Sequence, residues 1–152
     1  MTKSIIVAID DQDKVSFNRI LDCLDPNLCM VKIGSINFNS LGREFIEKVH
    51  VKEVNIFLDL KLHDIPNTCI STIKAIKDLK VNYLTIHISS GPEALKACKK
   101  VSGKTKLIGV TILTSLDNKA LKEIGFNKDV RKLVYHQAKL AKKAKLDAIA
   151  VS

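Results

Sequence analysis

No Cys-x-x-Cys pair, no long apolar run and very little arginine occur in this 152-residue sequence. Each absence excludes something. The four cysteines, Cys23, Cys29, Cys69 and Cys98, are scattered over most of the chain. That spacing argues against a zinc site or a disulfide framework and for thiols kept reduced in a reducing cytosol. The best apolar run lies within Ser4 to Ile9, far below the roughly 20 consecutive apolar residues of a membrane span. No membrane partner is expected. Met1-Thr2-Lys3-Ser4 leads straight into that run with no apolar signal region or small-residue cleavage site, so a cytoplasmic location is expected. Linkers, low-complexity stretches and sequence repeats are also missing.

Arginine is scarce although the net charge is +9: 22 of the 25 basic residues are lysine, and only Arg19, Arg43 and Arg131 are arginine. Lysines such as Lys74, Lys77, Lys80, Lys139, Lys142 and Lys143 are spaced as on solvated helix faces. The seven aromatic residues sit within or beside apolar patterns rather than between basic ones. No nucleic-acid partner is expected, since binders of single strands interleave basic and stacking side chains.

What is present is a normal globular balance, 46% hydrophobic and 27% charged, in a chain long enough for one domain with a sizeable core. Short β-branched runs recur at Ser4 to Ile9, Cys29 to Ile33, Val54 to Leu60, Tyr83 to Ile88, Leu107 to Leu113 and Leu146 to Val151. Between them the period becomes helical. Phe17, Ile20, Leu21 and Leu24 form one stripe, Ile70, Ile73, Ile76 and Leu79 a second, and Leu133, Val134, Gln137 and Ala141 a third. Asp25-Pro26-Asn27 reads as a turn. Gly91-Pro92 places proline in a first helical turn, and Asp117 caps a short helix that Gly125 ends. Strands alternating with helices predict a parallel α/β sheet. Periodicity leaves two folds open, a doubly wound sheet and a (β/α) barrel. No G-x-G-x-x-G follows the first strand, which weakens a dinucleotide-binding fold.

Charge interrupts the strands at informative places. Asp10 ends the first, Lys32 sits in the second, and the third reads Asn55-Ile56-Phe57-Leu58-Asp59-Leu60-Lys61-Leu62-His63-Asp64. By alternation Phe57, Asp59, Lys61 and His63 share one face and Leu58, Leu60 and Leu62 the other. Each charge has a structural explanation: Asp10 as a helix cap, Lys32 snorkelling to the surface, Asp59 and Lys61 as a buried ion pair. Yet burying ions costs several kcal/mol each unless they are well paired. Four charges at the carboxyl ends of three parallel strands form an expensive arrangement for stability alone. Ligands in parallel α/β folds bind at that end, and a functional site is the favoured reading.

The stretch Phe57-Leu58-Asp59-Leu60-Lys61-Leu62-His63-Asp64-Ile65-Pro66-Asn67-Thr68 resembles the D-x-K-x-x-D-I-P-x-T signature of the orotidine 5'-phosphate decarboxylase family. Ala8-Ile9-Asp10, Val31-Lys32-Ile33-Gly34, Thr85-Ile86-His87, Gly109 to Ser115 and Leu146 to Ser152 resemble the family's other strands, in order. The resemblance implies a (β/α)8 barrel of TIM type that dimerises, with active sites at the subunit interface. It implies decarboxylation of orotidine 5'-phosphate to uridine 5'-phosphate in pyrimidine biosynthesis, with no metal or organic cofactor. Lys61 would donate the proton. Asp59 would lie beside the substrate carboxylate, Lys32 would pair with Asp59 and touch the ribose, and Asp10 would bind a ribose hydroxyl. Asp64 and Thr68 would reach into the partner subunit's site. Thr114 matches a position touching the pyrimidine, with Ser115 beside it. His63 reads as hydrogen-bonded scaffolding, and His87 on the fourth strand as lining the barrel.

Length departs from the family. An eight-unit barrel needs at least about 200 residues, and nothing here matches the seventh and eighth strands or their phosphate-gripping loop. Residues 1–152 are therefore read as one incomplete barrel domain of about six βα units, the N-terminal part of the enzyme. Such a piece is expected to be inactive alone and, with sheet edges open at strands one and six, prone to associate. Three alternatives remain: a non-catalytic half-barrel that binds a partner chain, a magnesium-dependent 3-keto-gulonate-6-phosphate decarboxylase relative, and a basic nucleic-acid binder. The magnesium enzymes carry a metal-binding glutamate on the second strand, where this chain has Lys32, and Asp64-Ile65-Pro66-Asn67-Thr68 also points away from them.

Overall fold

A computed structural model describes residues 5–10 and 13–151. Ser4 of the first expected strand and Ser152 of the last family-like stretch lie outside the described residues. The chain forms two compact units: one runs up to Leu60 and takes in Ile76–Leu84, the other comprises Lys61–Ala75 and the chain from Thr85 onward.

The first unit holds β1 (Ile5–Ile9), α1 (Lys14–Asp22), β2 (Cys29–Gly34), α2 (Ser35–Leu41), α3 (Arg43–Val51) and β3 (Asn55–Leu62) as far as Leu60. β1, β2 and β3 pair in parallel, with Ala8 opposite Lys32 and Gly34 opposite Asp59. Ile56 and Leu58 are fully buried and Asp59 is nearly so. Burial on successive residues means that both faces of β3 are covered, as parallel sheets require. Phe17 of α1 meets Phe45 of α3 edge to face, with centroids 4.5 Å apart. Phe17 and Leu21 of the α1 stripe are buried as its spacing predicts, whereas Ile20 is 38% exposed and Leu24 lies beyond the helix end.

The carboxylate that caps α1 is Asp13, not Asp10: its Oδ2 accepts the Ser16 amide at 2.9 Å. Capping therefore does not explain Asp10. The expected turn is present, with the Leu28 amide donating to the Asp25 carbonyl and the Asn27 amide to the Asp25 carboxylate.

The sequence reading did not anticipate α2 or α3. Ser35-Ile36-Asn37-Phe38-Asn39-Ser40-Leu41 is poor in strong helix formers and buries only Asn37 among its residues. In α3 the buried Phe45, Ile46 and Val49 carry a helical spacing. Gly42 joins the two helices at φ +74°, a left-handed conformation that glycine adopts without steric cost.

The second unit holds the end of β3, α4 (Pro66–Ala75), the later part of β4 (Tyr83–His87), α5 (Gly91–Val101), β5 (Lys106–Val110), α6 (Asn118–Glu123), α7 (Val130–Lys143) and β6 (Ala148–Ala150). β5 and β6 pair in parallel, with Ile108 opposite Ala148. Pro92 occupies the first turn of α5. Asp117 caps α6 by accepting the Ala120 amide at 2.8 Å, and Gly125 follows the helix at φ +90°. All three signals act as the sequence predicts. The second stripe divides: α4 ends at Ala75, and a single 3₁₀ turn at Lys77–Leu79 carries the buried Leu79.

Two strands are shorter than expected. β5 stops at Val110, and beyond it the Thr111 amide and hydroxyl both donate to the Ala150 carbonyl, at 3.3 and 2.9 Å. β6 is confined to three residues, all exposed. At the other end of the strand order, Ile5 and Ile6 of β1 are also exposed, at 51% and 48%. Apolar strand residues left open to water are a docking or association liability.

Cys69 of α4 and Cys98 of α5 are buried free thiols. Burial raises both thiol pKa values, and for Cys98, with Cys69 beside it, the value is pushed up to about 12. Neither carries the partly exposed, thiolate-rich character of a reactive cysteine.

Gly109 of β5 marks the tightest point. A methyl group there would lie 2.9 Å from Ile88 Cγ1 and 2.9 Å from Leu146 Cδ1. Gly109→Ala is expected to destabilise folding by roughly 1–3 kcal/mol through overpacking. Urea titration checks this, and an unchanged midpoint would show that Ile88 and Leu146 can give way.

Candidate functional site

In the first unit three of the anticipated residues converge. β1 ends in Asp10, β2 carries Lys32 two residues before Gly34, and β3 carries Asp59 opposite Gly34. Lys32 Nζ lies 3.5 Å from Asp59 Oδ2 and 3.9 Å from Asp10 Oδ1. The environments differ. The Asp59 side chain is 10% exposed, that of Lys32 25%, and that of Asp10 69%. A carboxylate as buried as Asp59 needs a cation beside it, since an unpaired ion there would cost several kcal/mol. Lys32 supplies that cation while keeping its second contact at the open side. Snorkelling to the surface therefore does not describe Lys32. Gly34 leaves room at this place, since a Cβ on it would sit 3.7 Å from Asp10 Oδ1.

In the second unit the rest of the signature is laid out along one stretch. Lys61 is half-buried, and its backbone stands at φ +50° within β3. For a residue with a Cβ this left-handed conformation costs about 1–3 kcal/mol. The two-residue alternation of side chains holds only for extended backbone. A face shared by Asp59 and Lys61 therefore no longer follows from their spacing. The Lys61 amide donates to Thr85 Oγ1 at 2.7 Å, and Thr85 is buried on β4. Thr85 belongs to a recognised stretch, but its sequence context gave no reason to assign it a role.

Asp64 is exposed, and its Oδ1 accepts the amide of Ile65 at 2.7 Å. The Asp64 carbonyl accepts the Cys69 thiol at 3.4 Å. Thr68 is exposed in the first turn of α4, and its carbonyl accepts the Thr72 hydroxyl at 2.9 Å. Thr114 and Ser115 are exposed in the loop after β5. His63 and His87 stack loosely, with ring centroids 5.0 Å apart and planes tilted by 36°. That contact holds the ends of β3 and β4 together.

Parallel strands alternating with helices, with charge collected at the carboxyl ends of strands, define a parallel α/β protein with a site at that end of its sheet. A family model described as "Orotidine 5'-phosphate decarboxylase / HUMPS family" matches residues 3–152. The chain belongs to this family. It is 37% identical over 157 residues to the orotidine 5'-phosphate decarboxylase of Haemophilus influenzae (strain PittEE), covering 100% of this chain and 68% of that protein. It is 41% identical over 149 residues to the decarboxylase of Buchnera aphidicola subsp. Acyrthosiphon pisum (strain Tuc7), covering 95% of this chain and 63% of the relative. The crystal structure of orotidine 5'-phosphate decarboxylase from Lactobacillus acidophilus superimposes with a TM-score of 0.92 at 34% identity. It covers 99% of this chain and 71% of that one. The Methanocaldococcus jannaschii enzyme, at 23% identity and a TM-score of 0.79, supports the fold alone. These likenesses decide between the two folds that periodicity left open: the chain has the first six strands of a (β/α) barrel rather than a doubly wound sheet.

Proposed function

We propose that residues 1–152 supply the catalytic two thirds of an enzyme that converts orotidine 5'-phosphate to uridine 5'-phosphate, without a metal or organic cofactor. The observation that carries this reading is Lys32 standing between Asp59 and Asp10, in a chain whose β3 continues into Lys61-Leu62-His63-Asp64. Family membership supports the substrate.

The chemistry asks for a cation next to a forming carbanion. The bond from C6 of the pyrimidine to the carboxylate breaks, its electron pair stays on C6, and carbon dioxide leaves. C6 delocalises that pair poorly. The Lys61 ammonium stabilises it electrostatically and then delivers a proton to C6. The neutral amine regains its proton from solvent. Asp59 stands beside the substrate carboxylate, where like charge favours its departure. Lys32 neutralises Asp59 and contacts the ribose, and Asp10 binds a ribose hydroxyl. Thr114 touches the pyrimidine, with Ser115 its neighbour.

In this reading the protein works as a cytoplasmic homodimer, with Asp64 and Thr68 of the partner subunit completing each site. The exposure of both side chains on this chain suits such sharing. No helix among the described residues is long and apolar enough to cross a membrane.

The test uses a completed barrel, residues 1–152 joined to the C-terminal third of the Haemophilus influenzae relative. It is expected to release carbon dioxide from orotidine 5'-phosphate at an undiminished rate in EDTA. Activity on 3-keto-gulonate 6-phosphate that EDTA abolishes would replace this reading with the magnesium-dependent one.

A further inference from the structure

We propose that Thr85 is a positioning residue for Lys61: its buried hydroxyl fixes the left-handed backbone turn from which the lysine side chain springs. The inference rests on the reading of Lys61 as proton donor. A lysine at φ +50° inside a strand is held where its own backbone preference would not keep it. Glycine would take that conformation freely, but glycine has no ammonium. A position that needs both the turn and the side chain must be held by a neighbour. Thr85 is placed to do this. It is 2% exposed on β4, and its Oγ1 accepts the Lys61 amide at 2.7 Å. That bond fixes the plane of the peptide between Leu60 and Lys61, and with it the direction in which the Lys61 Cβ leaves the strand. A long, flexible stem then starts from a defined place, and proton delivery demands heavy-atom distances of about 3 Å. Valine would fill the same β-branched space without the acceptor, so shape alone does not account for threonine here.

The experiment is solution NMR on the completed barrel, comparing wild type with Thr85→Val and Thr85→Ser. In Thr85→Val the Lys61 amide is expected to exchange with D₂O about tenfold faster or more, the scale of one net hydrogen bond. The amides of Ile56 and Leu58 should keep their protection. The Lys61 φ-dependent coupling is expected to move toward the extended value, and the order parameter of its Cε to fall. Thr85→Ser, which keeps an acceptor, should restore all three signals. An unchanged coupling and exchange rate at Lys61 in Thr85→Val would overturn the proposal. If Thr85→Val does not fold, adding Lys61→Gly should restore folding, because glycine holds the turn unaided. Failure of that double variant to fold would also overturn it. None of these signals depends on turnover, so they separate the anchor from the chemistry. Retained decarboxylation by a Lys61 variant would remove the proton-donor role and leave the Thr85 contact standing.

Discussion

Lys61→Ala in the completed barrel is expected to lower kcat by about 10⁴-fold, with a much smaller change in KM. Two losses combine. A positioned charge at a developing anion is worth roughly 10²–10³-fold, and general-acid delivery of a proton contributes about 10²–10⁴-fold. One residue performs both, so the losses overlap rather than multiply in full. Lys61→Arg keeps the charge on a larger, planar group that does not give up its proton at neutral pH. It should recover little of the rate. Steady-state kinetics on orotidine 5'-phosphate measure the effect, with equilibrium binding of uridine 5'-phosphate as the control for an intact site. A variant that retains the wild-type kcat would remove Lys61 from the mechanism and leave the Lys32–Asp59 pair as a structural feature.

The second large effect concerns the third of the relatives' length that this chain does not cover. Expressed alone, residues 1–152 are expected to turn over orotidine 5'-phosphate at least about 10²-fold more slowly than the completed barrel. Remote binding energy is spent on orienting the reacting groups, and small misplacements are costly. The relatives' remaining third is expected, from the resemblance, to supply the seventh and eighth strands and the phosphate-gripping loop. The piece alone should also associate, because Ile5, Ile6, Ile149 and Val151 are exposed on or beside its terminal strands. Sedimentation velocity over a concentration series reads the association, and a single-turnover assay reads the rate. Supplying the relative's C-terminal third as a separate chain should restore turnover and suppress association together. Full turnover by the 152 residues alone would show that the phosphate grip is dispensable.

The parts of the site legible in the sequence are those that local pattern encodes. Asp10, Lys32 and Asp59 were visible because charge at the ends of apolar strands is conspicuous, and the structure gathers them around one ammonium. Asp117, Pro92 and Gly125 announced their helix ends, because capping and left-handed turns act over only a few residues. The helix at Ser35–Leu41 escaped notice because its residues favour helix weakly and packing decides its conformation.

By itself the sequence determined the class of fold, the family and which residues are available for chemistry, since periodicity and motif are properties of neighbours along the chain. Tertiary structure alone decided that Asp59 is the buried member of its pair, and that Lys61 leaves the extended conformation and rests on Thr85. These outcomes depend on which groups meet across strands 24 to 27 residues apart. No local pattern carries that information. A hydrogen bond to a strained amide forms only when packing brings its acceptor there.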